Sequence, residues 1–291
     1  MGGHGWLLLS FLFVIGACVG SFLNVVAWRL PRACMSVVRP GSRCPRCRRA
    51  LPWHENLPVI GWLLLSGRCR GCKGSISFRY PAVELVTGIL FALMAWVFLP
   101  EAAFDQPRDH GGLWLSLGVF LLIASALMAL SLIDFDFRIL PDAITWPGIV
   151  LGPILAFLAP QGQHGRYAFA LFADTSMGLR LNAGVNGILF AALSAGLLYG
   201  IGWLGSKAFG KPAMGLGDVK MIGAMGAFQG SWALLALVVA SVLGALIGIA
   251  ARLLTRSRYI PFGPFLALGM LTVMLWGPEI LSAYLRLFQH Q

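Results

Sequence analysis

Only 11 acidic residues occur in this 291-residue chain, and three of them, Asp134, Asp136 and Asp142, crowd one short stretch. Asp134 directly follows the apolar run that ends in Leu132-Ile133. A second acidic position stands in Gly215-Leu216-Gly217-Asp218-Val219-Lys220, where glycines let the backbone turn tightly or unwind. An ionisable side chain at membrane depth is costly and marks a functional position. Asp134 and Asp218 both fall at the ends of apolar segments on one side of the membrane. Two carboxylates brought close together cannot both ionise easily, so one keeps a proton. Such a pair offers a base that activates water and an acid that protonates a departing amine. Asp142, after Pro141, reads equally as a helix cap that accepts backbone N–H bonds or as a catalytic group. The simpler alternative for Asp218 is a cap or an ion pair with Lys220.

Four of the six cysteines form Cys44-Pro-Arg-Cys47 and Cys69-Arg-Gly-Cys72, with 21 residues between the pairs. Paired C-x2-C units at this separation predict a four-thiolate tetrahedral zinc site. Neighbouring arginines ease deprotonation of the thiols. Four thiolates leave zinc no open position, so the metal is expected to be structural, a staple for a loop with little core of its own. The alternatives are a redox or iron–sulfur role, or no metal at all. Cys18 and Cys34 stand outside this scheme and read as packing residues.

Of all residues, 58% are hydrophobic and 11% are charged, and the mean hydropathy is +0.80. Soluble domains carry about 25% charged residues, so an all-α polytopic membrane protein is predicted. Apolar stretches of about 20 residues suffice to span. Eight are expected, near 6–28, 80–99, 112–133, 143–159, 182–205, 217–230, 232–252 and 262–286. The division that follows is a first transmembrane helix (1–28), a basic loop with the zinc site (29–79) and a transmembrane catalytic region (80–291).

Half of the 22 Lys+Arg lie in 29–79, against the single acid Glu55. The positive-inside rule therefore puts this loop, and with it the segments 134–142, 206–216 and 253–261, in the cytoplasm. The loop at 100–111, with Glu101, Asp105 and Asp109, reads as external, and 160–181 fits the scheme less well. The concentration of charge in one membrane loop, with no reading helix or stacking platform, argues against nucleic acid as a partner. Neither a Walker loop, a His-Glu-x-x-His sequence nor a nucleophile elbow occurs. A proton- or cation-coupled transporter using intramembrane carboxylates is the competing class. A methyltransferase in which both aspartates are dispensable is a third reading.

Several motifs, taken in order, resemble the bifunctional prepilin leader peptidases of type IV pili and type II secretion. They are Gly20-Ser21-Phe22-Leu23-Asn24-Val25-Val26 with Arg29-Leu30-Pro31, the paired C-x2-C units, Trp53-His54-Glu55-Asn56-Leu57-Pro58, and Arg79-Tyr80-Pro81-Ala82-Val83-Glu84-Leu85. The Asp134–Asp142 stretch, Gly215–Lys220 and Pro261-Phe262-Gly263-Pro264 complete the set. The resemblance implies that Asp134 and Asp218 are the catalytic aspartates. It also implies cleavage of type IV prepilins or type II pseudopilins after a glycine, at the cytoplasmic face of the bacterial inner membrane. It further implies N-methylation of the new N-terminus with S-adenosylmethionine, an activity associated with the cysteine loop. Gly67 falls on a glycine linked to methylation. Ser66 stands where the family often has another glycine, which bears on methylation and not on cleavage.

Overall fold

The computed structural model describes residues 3–32, 36–100, 103, 110–163, 170–172, 175–211, 214–255 and 261–289. Helices dominate, and the extended pairings among the described residues are two isolated bridges, Arg43 with Ala50 and Arg68 with Ser75. Helix α1 spans Gly3–Arg29, and a short α2 covers Ile60–Leu64. They are followed by α3 (Arg79–Phe98), α4 (Gly111–Phe137), α5 (Asp142–Leu158) and α6 (Ser176–Phe209). The last three are α7 (Leu216–Gln229), α8 (Trp232–Thr255) and α9 (Gly263–Gln289).

Each expected apolar segment is thus helical. Six of them, α1, α3, α4, α6, α8 and α9, are long and apolar enough to cross a membrane, which makes this a multi-pass membrane protein. The expected count of eight is not reached by length. With 14 residues α7 extends about 21 Å, against a hydrocarbon core of about 30 Å, and α5 has 17 residues.

The chain forms two compact units, residues 1–117 with 121–133, and residues 118–120 with 134–291. In the first, α1 packs along α3. Gly16 and Gly20 lie one turn apart on α1. A Cβ at Gly16 would meet the Thr87 carbonyl at 2.7 Å, and one at Gly20 would meet Glu84 Cα at 2.9 Å. Small residues at such a seam let two backbones approach where lipid supplies no hydrophobic drive. Asn24 Nδ2 donates to the Gly20 carbonyl of its own helix and, across the seam, to the Tyr80 carbonyl.

In the second unit α7 is wrapped by protein. Met221, Ile222, Met225, Ala227 and Phe228 are almost fully buried, and α5, α6, α8 and α9 surround the helix. Its glycines and alanines admit the neighbours: Gly152 of α5 and Gly187 of α6 both close on Ala227, and Gly226 backs onto the Phe190 carbonyl. Ser194 Oγ donates to the Ile222 carbonyl at 3.0 Å. At the far end the chain turns within two residues through Gly230, at φ +61°. Gln163 Nε2 donates there to the Ala183 and Phe228 carbonyls, and Trp232 Nε1 donates to the Gln163 carbonyl.

Candidate active site and metal centre

Helix α4 continues past its apolar run to Phe137, so Asp134 lies in its last turns rather than beyond them. Arg138, at φ +56°, ends the helix and donates its N–H to the Asp134 carbonyl. The Asp134 side chain is buried, and its Oδ2 accepts the N–H of Gly263, the first residue of α9, at 3.0 Å. Asp218 sits in the first turn of α7 and accepts the backbone N–H of Gly215, the residue that caps that helix. A carboxylate reaching back to its own N-cap amide is half of a capping box. The two carboxylates are close enough to repel one another.

Asp142 takes a third course. It is the first residue of α5, after the N-cap Pro141, and no side-chain cap is made there, contrary to the capping alternative. Its Oδ1 instead accepts from Lys220 Nζ at 2.6 Å, with 61% of the side chain exposed. Lys220 therefore bridges α7 to the start of α5. Asp136 is exposed.

The sulfurs of Cys44, Cys47, Cys69 and Cys72 all lie within 4.8 Å of one another, with 3.8 Å between Cys44 and Cys72 and 3.9 Å between Cys47 and Cys69. Sulfurs bound at about 2.3 Å to a tetrahedral ion stand about 3.8 Å apart, so this cluster could hold such a metal. Two equivalent turns build it. The Cys44 N–H bonds to the Arg49 carbonyl and the Arg48 N–H to the Cys44 carbonyl. The Cys69 and Lys73 N–H groups repeat the pattern with the Gly74 and Cys69 carbonyls. Arg48 and Lys73 each take a positive φ, of 58° and 55°. The Cys47 and Arg46 backbone N–H groups pull the Cys44 thiol down to about 6. At Cys47 the Arg49 N–H acts in the same direction, but desolvation and the neighbouring thiols outweigh it and push the thiol up to about 11. Four thiolates this close require a cation to be anionic together.

Sequence reasoning missed Glu55, which is buried in the same loop. Its oxygens accept from Arg49 Nη2 at 2.6 and 2.5 Å, and Arg70 stands at 3.6 Å. The Arg49 hydrogen bond holds its carboxyl below the usual range. The available signal was its standing as the lone acid of the basic segment. Glu84 likewise anchors the loop, accepting the Val59 N–H at 2.7 Å. Gly67 is a packing glycine: at φ +64° a Cβ would meet the Trp62 ring at 2.8 Å. Ser66 before it also takes a positive φ, of 48°. Cys18 is exposed on α1 rather than packed, and Cys34 lies outside the described residues.

A polytopic helical membrane protein with paired carboxylates and a thiolate cluster is the class these features define. Residues 121–249 match the type IV leader peptidase family, and residues 14–98 match the bacterial peptidase A24 N-terminal domain. The chain is 42% identical over 255 residues to a prepilin leader peptidase/N-methyltransferase of Myxococcus xanthus (strain DK1622), covering 87% of this chain and 66% of that protein. It is 35% identical over 300 residues to the protein of that name from Stutzerimonas stutzeri, and 35% identical over 301 residues to the one from Pseudomonas aeruginosa. Each of these two matches covers 94% of this chain and 92% of the relative. No solved structure matches the chain. This chain belongs to the prepilin leader peptidase/N-methyltransferase family. The transporter reading gains no support from these matches.

Proposed function

We propose that this protein is a membrane aspartyl endopeptidase that removes the leader of type IV prepilins or type II secretion pseudopilins, with Asp134 and Asp218 as the catalytic pair. The observation that carries the reading is the placement of a buried Asp134 against the start of α9 and of Asp218 in the first turn of α7, both inside a stretch matched by a leader peptidase family. One carboxylate takes a proton from water while the oxygen attacks the scissile carbonyl carbon. The other, protonated, delivers its proton to the amide nitrogen as the C–N bond breaks. The basic segment 29–79 supports a cytoplasmic site in a bacterial inner membrane, with lipid around the helices and no nucleic-acid role. Eight crossings belong to the same proposal, with α5 and α7 counted as spans shielded by their neighbours.

Zinc is the metal that fits the cysteine cluster, with Cys44, Cys47, Cys69 and Cys72 as its ligands and no chemical step of its own. N-methylation is proposed on the relatives' printed names. S-adenosylmethionine, as the methyl donor, belongs to the same proposal. Co-expression with a type IV prepilin, followed by mass spectrometry of the pilin N-terminus, tests the reading. The expected product is leader-free and N-methylated. An intact leader would contradict the peptidase, and a cut but unmethylated product would contradict the transferase alone.

A further inference from the structure

The motif Pro261-Phe262-Gly263-Pro264 has no role in the reaction as written, yet it meets the site. Gly263 opens α9, and the first turn of a helix leaves backbone N–H groups without intrahelical partners. Pro264 has no N–H to offer. The Phe265 and Leu266 N–H groups are both used by the Phe262 carbonyl. The amide of Gly263 is thus the donor this turn directs outward, and it ends on Asp134 Oδ2 at 3.0 Å, in a buried contact. A helix N-terminus also favours negative charge.

The contact leaves no room for a side chain. A Cβ on residue 263 would stand 2.6 Å from Asp134 Oδ2 and 3.1 Å from its Cγ. Real Cβ atoms do not come that close to an oxygen, and the Asp134 Cβ itself stands at 3.3 Å, so any other residue here displaces the carboxylate or the helix start.

We infer that Gly263 is a positioning residue for the cleavage reaction: its amide fixes one oxygen of Asp134 and its missing side chain keeps the carboxylate in place, leaving Oδ1 for water. The inference rests on the catalytic reading of Asp134.

Gly263→Ala tests it in proteoliposomes, beside Gly248→Ala, whose added methyl meets nothing within 4 Å. The expected result is a fall in kcat of tenfold or more with KM within about twofold, while Gly248→Ala behaves as wild type. Thermal unfolding in detergent supplies a second reading. Any loss of midpoint caused by Gly263→Ala is expected to vanish in an Asp134→Ala background, where no carboxylate remains to be struck. Unchanged kcat, or an equal loss of midpoint in both backgrounds, would overturn the inference. Asp134→Asn separates the two layers: if it still cleaves, the catalytic reading itself fails, whereas an inactive Asp134→Asn beside a normal Gly263→Ala removes Gly263 alone.

Discussion

At the scale of single residues, partners decide what each acid does. Glu55 is buried in a strongly basic loop and bound twice by Arg49, so its folded carboxyl ionises more readily than in the unfolded chain. A lowered value stabilises the folded state above the unfolded value of about 4.3 and ceases to do so as pH falls through the folded value. Amide hydrogen exchange over residues 49–56 should therefore be slower in wild type than in Glu55→Gln at neutral pH, and the difference should close in acid. Asp142 is the opposite case, an exposed group in an ion pair with Lys220. Exposed pairs contribute about 0–1 kcal/mol. Asp142→Asn is thus expected to change cleavage by less than about fivefold; a loss of activity comparable to that of a catalytic aspartate would contradict this placement.

At the scale of elements, the thiolate spacing and the apolar runs were legible in the sequence because each is a local pattern. Helix α4 extends beyond its apolar run because hydropathy marks what lipid tolerates and does not mark where backbone hydrogen bonding stops. The two knuckle turns were legible only as cysteine pairs; the left-handed Arg48 and Lys73 that close them are not residue types that announce such a conformation. Helix α7, short and glycine-rich, is a poor span by composition, and its packing accounts for this. Gly226 lies so close to α6 that a Cβ would stand 2.5 Å from Ser194 Oγ and closer still to the Phe190 carbonyl. Overpacking of this kind costs about 1–3 kcal/mol. Gly226→Ala is expected to lower the thermal midpoint of the detergent-solubilised protein, while Gly248→Ala leaves it unchanged.

At the scale of the whole molecule, long-range pairings were the illegible part. Neither the Asp134–Gly263 contact, 129 residues apart, nor the Asp142–Lys220 bridge, 78 apart, leaves a mark in local sequence. The two acids at the ends of apolar runs were legible because charge is scarce in this chain. Their meeting depends on how the end of α4 from Asp134 onward comes together with α7 and the start of α9 within the second unit. The central claim is that this meeting is the peptidase site, and single Asp134→Asn and Asp218→Asn proteins in proteoliposomes, given a prepilin, test it most directly. Each should accumulate with the wild-type thermal midpoint and lose cleavage by a factor of about 10² to 10⁴. Near-normal leader removal by either protein would contradict the account.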